Sequence, residues 1–191
     1  MISADEALSR LRRGNCDFVT VRAHERDLSP ERVEQLYAYG QNPFAVVVAC
    51  ADSRTVPEHM FMMGLGDLFV VRVAGNVVGP AELASVVYAC EHLGVKLALV
   101  LGHTGCGAIE ASAAAAEEGE AGRGVMGALT APILAAIGNE RDPYRASELN
   151  VRAGMAALAA CPELARLARE DGLRIAGAVY HTHSGVVDFL A

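Results

Sequence analysis

The chain lacks the marks of a membrane, nucleic-acid or secreted protein. No apolar run reaches the roughly 20 residues that a bilayer-spanning helix needs. The opening residues, Met1-Ile2-Ser3-Ala4-Asp5-Glu6, are acidic where a secretory signal would be basic and then apolar. Basic residues are outnumbered, 16 Lys and Arg against 23 Asp and Glu, for a formal net charge of −7. With no basic stripe to meet a phosphate backbone, a nucleic-acid partner is not expected. Five cysteines are an odd number at irregular spacings and do not read as a disulfide framework. Tryptophan is missing altogether, and there is no internal repeat or interdomain linker. These absences point to a cytoplasmic chain whose thiols stay reduced, free to act as ligands or as small core residues. What remains is 191 residues, 52% hydrophobic, one domain's length with ample material for a core.

Hydrophobic periodicity divides the chain into alternating helices and strands. In residues 3–18, Ala7, Leu8 and Leu11 recur at helical spacing, with Ser3 as cap and Glu6 three residues on. Ser29 caps a second helix with Pro30 in its first turn and Val33, Leu36 and Tyr37 as its apolar positions. Strands are expected at 44–49, 68–73, 97–101 and 173–180, the last turning through His183-Ser184-Gly185 into 186–190. Further helices are expected at about 80–92, ending at Gly94, and at 148–158 and 162–169. Residues 108–124, rich in Ala, Glu and Gly, read as a solvated helix that frays at Gly119 and Gly122. The alternation predicts an α/β fold with a mostly parallel central sheet flanked by helices. Residues 1–40 would form an N-terminal helical arm on a core of residues 41–191, all within a single domain of residues 1–191.

Two short clusters carry the chemistry: Cys50-Ala51-Asp52-Ser53-Arg54 and His103-Thr104-Gly105-Cys106-Gly107. Each follows a dense apolar run of the kind that forms a buried parallel strand. Two such strands would deliver Cys50, His103 and Cys106 to the carboxyl edge of one sheet, where open α/β sheets place their sites. Gly102, Gly105 and Gly107 give the second cluster the freedom for an immediate turn. Two thiolates and one imidazole are a zinc set that, in catalytic sites, leaves a fourth position for water or substrate. No fourth Cys or His stands beside them. Asp52 either fills that position or pairs with Arg54, bidentate and charge-assisted, and leaves it open.

Taken together, Cys50-Ala-Asp-Ser-Arg54, Gly66-Asp-Leu-Phe-Val-Val-Arg72, Ala74-Gly-Asn76 and Gly102-His-Thr-Gly-Cys-Gly107 closely resemble the β-class carbonic anhydrases. The resemblance extends from the N-terminal helices through Gly177-Ala-Val-Tyr180 to Val187-Asp-Phe-Leu190. It implies a zinc lyase that converts carbon dioxide and water to bicarbonate and a proton, with Cys50, His103 and Cys106 as zinc ligands. By the same likeness Asp52 is a conditional fourth ligand, or the acceptor for the zinc-bound water, and Arg54 draws it off the metal. Gln41 would donate to substrate, Gly107 would offer a backbone N–H, and Phe69, Ala74 and Tyr88 would line an apolar pocket. The family's site lies at a dimer interface, so a homodimer or homotetramer is implied. Carbonic anhydrases are themselves the standard case in which zinc lowers the pKa of bound water from about 15.7 to about 7. Two thiolate ligands soften that effect and favour a somewhat alkaline active state.

The chain departs from the family at two places. Val47 stands where some members carry the tryptophan of an inhibitory bicarbonate pocket, so that pocket is not expected. Thr55 stands where the family more often has Val. The same scaffold would also suit a carbonyl sulfide or carbon disulfide hydrolase, or a zinc-binding protein without catalysis. Retention of Asp52, Arg54 and Gln41 counts against the last.

Other candidates read more plainly. Cys16, Cys90 and Cys161 are expected in packing roles, and His24, His59 and His92 at surfaces or helix ends. His181 and His183 are expected as exposed residues around the closing turn. Met60, Met62 and Met63 beside Phe61 read as packing at an apolar surface or a subunit contact, and Arg72 and Asn76 as braces for the site loops.

Overall fold

The computed structural model describes residues 1–20 and 27–190; His24 lies outside them. Among the described residues a five-stranded sheet runs in the order β2-β1-β3-β4-β5. Its strands are β1 (Ala45–Cys50), β2 (Leu68–Val73), β3 (Leu97–His103), β4 (Arg174–Tyr180) and β5 (Val187–Phe189). The first four pair in parallel, and β5 closes the edge antiparallel to β4. Every residue of β1 and β3 is buried, which is why both read as unbroken apolar runs rather than alternating ones.

The two faces of the sheet carry different helices. Val47, Ala49, Leu99 and Leu101 pack with α1 (Ala4–Val19) and with Met60 and Phe61 at the end of α3 (Pro57–Met60). Val46, Val48 and Val100 pack on the other face with α4 (Pro80–His92), α7 (Pro143–Ala159) and α8 (Pro162–Glu170). Between α4 and α7, α5 (Gly107–Glu117) and α6 (Gly127–Ile137) close over the carboxyl ends of β1 and β3.

The expected two-helix arm divides in the structure. Ser3 caps α1 as expected, its hydroxyl accepting from the Glu6 N–H at 3.2 Å. The helix then buries Ala4, Ala7, Leu8 and Leu11 against the core. Asn15 ties it down, donating to the Met60 and Gly185 carbonyls at 3.2 and 2.9 Å and accepting from the Val187 N–H at 2.9 Å. Helix α2 (Pro30–Tyr39), capped by Ser29, buries no residue at all. Two of its three expected apolar positions are bare, Val33 53% and Tyr37 91% exposed, while Leu36 is half-buried beside Gly66.

Gly14 lets α1 approach the chain after α3. A Cβ there would stand 1.7 Å from the Phe61 carbonyl oxygen, a backbone atom that cannot swing aside. Gly14→Ala is therefore expected to lower the stability by about 1–3 kcal/mol, the usual cost of overpacking. An unchanged denaturant midpoint would show that α1 is not seated as described.

Strand and helix limits agree with the sequence expectations to within about two residues at most ends, the usual scatter of such limits. Three differences stand out. β3 continues two residues beyond 101, through Gly102 to His103. α7 starts five residues before 148, at Pro143, with Asp142 as its cap. α6 adds a helix to those expected; Pro132 in its middle is exposed, and the helix is held by buried Ile133 and Ile137.

Candidate metal centre

The parallel pairing of β1 with β3 brings Cys50 and His103 side by side at the carboxyl edge, and the turn after His103 returns Cys106 to meet them. The two Sγ atoms and one ring nitrogen of His103 lie within 4.8 Å of one another, all three residues buried. Of the three glycines in that cluster, only Gly105 adopts the left-handed region, at φ 64°.

The donor set fits a metal ion. The sulfurs stand 3.9 Å apart; two thiolates each about 2.3 Å from a tetrahedral zinc would stand about 3.8 Å apart. His103 Nδ1 lies 3.1 Å from the Thr104 carbonyl, a bond it can only make as donor, which leaves the lone pair on Nε2. Among the described residues that buried Nε2 has no hydrogen-bond partner. A buried orphan nitrogen costs about 1–3 kcal/mol, so an unfilled site of this kind is unfavourable.

The surroundings also stabilise thiolate. Cys50 Sγ accepts the Asp52 N–H at 3.4 Å and the Gly75 N–H at 3.3 Å. Cys106 caps the N-terminus of α5, where the helix dipole favours negative charge. Without a cation the two sulfurs share one proton. A hydrogen bond from Cys106 draws the Cys50 thiol down to about 4, while that same bond and burial push Cys106 up. A divalent ion between them offsets the repulsion that holds the second proton on.

Asp52 stands beside the triad, Oδ2 lying 4.0 Å from His103 Nε2. Arg54 holds it from the other side: Nε donates to Oδ1 at 3.0 Å, Nη2 to Oδ2 at 2.7 Å, and the Arg54 N–H to Oδ1 at 2.9 Å. Of the two roles open to Asp52, the structure holds the arginine-paired one. The Arg54 side-chain hydrogen bonds keep its carboxyl well below the usual carboxylate range, against a smaller opposing effect of burial. Arg54 is itself fixed by the Gly105 carbonyl at 2.9 Å, which links the two clusters.

The remaining expected residues fall into two groups. Ala74 follows β2 directly, next to Gly75, whose N–H reaches Cys50. Gly107 opens α5, where its N–H has no intrahelical acceptor and a Cβ would meet nothing within 4 Å. A cavity of about 310 Å³ borders Cys106, with Ile109, Ala113 and Ala146 in its lining. Gln41, Phe69 and Tyr88 are not brought to the triad within one chain. Gln41 precedes β1, whose amino end is about 16 Å from Cys50 at about 3.3 Å per residue, and it is exposed. Phe69 pairs with Val46, about 13 Å below the level of Cys50, and stacks with the half-exposed Tyr88 at 6.1 Å.

The other sequence expectations resolve as follows. Arg72 braces the first cluster, donating to the Cys50 carbonyl at 3.2 Å and to the Asp52 carbonyl at 2.7 Å. Asn76 is buried at φ 45°, and the Gly75 carbonyl beside it is held by Asn150 at 2.7 Å. Asn150 and the bonds of Thr55 were not anticipated, since a single polar residue leaves no periodic signal. Cys90 and Cys161 are core residues, and burial pushes Cys90 up to about 12. Cys16 is exposed. His59 lies against Phe18 and His92 against Tyr88. His183 is exposed, whereas His181 is half-buried, 2.8 Å from Asp188 and stacked on Tyr144. Met60 and Phe61 are buried in the core and not at a surface, Met62 and Met63 are half-buried, and Val47 is core without surface.

An open α/β sheet that gathers two thiols and an imidazole at its carboxyl edge defines a metal-site protein. The sequence pattern of the carbonic anhydrase family matches residues 45–187. Carbonic anhydrase 2 of Mycobacterium tuberculosis is 46% identical over 113 residues, which is 59% of this chain and 54% of that protein. The match to that relative thus spans about half of its length. The carbonic anhydrase of Pseudomonas aeruginosa is 38% identical over 184 residues, covering 87% of this chain and 82% of the relative. Among solved structures, a tetrameric β-carbonic anhydrase of Sordaria macrospora superposes with a TM-score of 0.73 at 27% identity, over 98% of this chain and 96% of that one. A β-carbonic anhydrase of Aspergillus fumigatus gives 0.70 at 28% identity, over 97% and 89%. The chain belongs to the β-class carbonic anhydrase family.

Proposed function

We propose that this chain binds zinc and catalyses the reversible hydration of carbon dioxide to bicarbonate and a proton. The observation that carries the proposal is the pairing of the Cys50–His103–Cys106 donor set with an adjacent, arginine-held carboxylate. A metal site built only for stability is closed by four ligands and has no use for that carboxylate.

Zinc held by the two thiolates and His103 Nε2 would supply a water acidic enough to act as nucleophile near neutral pH. Asp52 Oδ2, 4.0 Å from Nε2, is placed to accept a hydrogen bond from that nucleophile and to orient it. Arg54 keeps Asp52 turned from the metal and ionised. The free N–H of Gly107 offers a donor to an oxygen of the substrate, and Ala74 an apolar wall. Gln41, Phe69 and Tyr88 would then serve the site of a second copy, a role that fits their distance from their own triad and the bare face of α2. The tetrameric relative from Sordaria supports a homo-oligomer. Among the described residues no helix is long and apolar enough to cross a membrane.

Zinc content and stopped-flow hydration of carbon dioxide, measured on one preparation, test the proposal. About one zinc per chain and rapid hydration are expected, rising towards alkaline pH. Bound zinc without hydration between about pH 7 and about pH 9 would overturn it, that window spanning the expected ionisation. Faster turnover of carbonyl sulfide or carbon disulfide in a parallel assay would instead assign the hydrolase activity.

A further inference from the structure

We propose that Thr55 is a positioning residue that holds Asp52 in its arginine-paired state and so keeps the fourth metal position open. The inference rests on the metal centre proposed above and concerns a residue to which no role has been given.

Thr55 is 2% exposed. Its hydroxyl lies 3.1 Å from the Cys50 carbonyl and 2.9 Å from the Asp52 carbonyl, and it can satisfy both only as a shared donor. Its own N–H donates to the Asp52 carbonyl at 3.0 Å. Arg72 reaches the same two carbonyls from the opposite strand. The peptides that follow Cys50 and Asp52 are thus pinned from two sides, and the Asp52 carbonyl takes three donors.

That pinning has a consequence for the side chain. The Arg54 N–H meets Asp52 Oδ1 only while the turn keeps its shape, because the bond closes a ring of backbone and side chain two residues long. Arg54 Nε and Nη2 complete the grip from the same turn. Release of the turn removes the geometric basis of the grip, and Asp52, already 4.0 Å from His103 Nε2, is the nearest carboxylate able to swing onto a cation there. A valine at this place fills the same volume but donates nothing. Its Cys50 and Asp52 carbonyls keep only their remaining donors. Thr55 therefore shifts a two-state balance between a closed site, with Asp52 on the metal, and an open one.

The test uses the metal-free full-length chain loaded with Co²⁺, whose thiolate charge-transfer and visible bands report the ligand set. Thiocyanate is then titrated, since it takes an open fourth position and shifts those bands. Wild type is expected to bind thiocyanate saturably. Thr55→Val is expected to keep cobalt and the thiolate bands but to bind thiocyanate about tenfold more weakly, the effect of one lost hydrogen bond on the open population. Thr55→Ser, which restores the hydroxyl, should return the affinity to that of wild type; a merely volume-filling threonine would not be rescued by the smaller serine. Equal thiocyanate affinity in wild type and Thr55→Val overturns the proposal. So does loss of cobalt from Thr55→Val, because the hydroxyl would then be holding the ligand Cys50 and not Asp52. Absence of thiolate bands in wild type itself would instead strike the metal centre on which the proposal rests.

Discussion

His103→Ala is expected to leave a folded protein with almost no bound zinc and no hydration above the uncatalysed rate. His103 supplies the one neutral donor of the triad, and among the described residues its Nε2 has no hydrogen-bond partner. The two sulfurs alone are a poor site: without the imidazole they keep their shared proton, because the hydrogen bond that Cys106 donates to Cys50, together with burial, holds it on Cys106. Chelation of the wild-type protein should reproduce the metal-free state and expose the stabilising effect of the metal. At free zinc about 1,000-fold above the dissociation constant, binding stabilises by about 4 kcal/mol. For a chain of this length that corresponds to a melting temperature higher by roughly 8–16 °C. The alanine variant should melt at one temperature with or without chelator. A variant that kept zinc, or a wild type indifferent to chelation, would show that the buried triad is not the metal centre.

The parts of this centre that were legible in the sequence are those set by strand periodicity. Cys50 and His103 end β1 and β3, and both strands are buried on two faces, so their apolar runs are long enough to announce where the chain must turn. The Asp52–Arg54 pair was legible because it is local: two residues apart, on one turn. Long-range polar ties were not. Asn150 reaches Gly75 across 75 residues, and Asn15 reaches Gly185 across 170, with nothing in either neighbourhood to mark them. Thr55 was visible only as a departure, and its two bonds needed coordinates.

The helices show the same division. Asp142-Pro143 is a helix start in plain sight, an N-cap followed by proline at the first position, yet the apolar spacing that would have supported it begins only later, at Leu149 and Val151. In α6, Pro132 interrupts the helical signal, while the buried Ile133 and Ile137 pack beside Cys50 and Cys106. Gln41, Phe69 and Tyr88 are the instructive case. The resemblance named them, but strand direction puts them at the amino end or outer edge of the sheet, far from their own triad. A motif identifies a residue type and says nothing of which copy's site it serves.

Asp52→Asn is expected to keep about one zinc per chain and to lose about a hundredfold or more in turnover, the scale of loss when a nucleophile is no longer held in its reacting orientation. The three metal donors are untouched, so the ion stays. What changes is the face that Asp52 turns to the triad. As a carboxylate it accepts from Arg54 at both oxygens, and Oδ2 retains acceptor capacity on the side of His103 Nε2. An asparagine keeps one acceptor, which the Arg54 N–H and Nε claim together. Its amide nitrogen then occupies the place of Oδ2 and presents hydrogens both to Arg54 Nη2 and to the nucleophile, donor against donor on each side. The loss should fall on kcat and persist across the pH range. Because the Arg54 hydrogen bonds hold Asp52 ionised well below neutrality, its own titration does not shape the wild-type profile there. Zinc content by absorption spectroscopy and hydration by stopped flow, on the same sample, decide the matter. Full turnover with zinc in place would remove Asp52 from the reaction, and zinc lost together with turnover would make it a ligand.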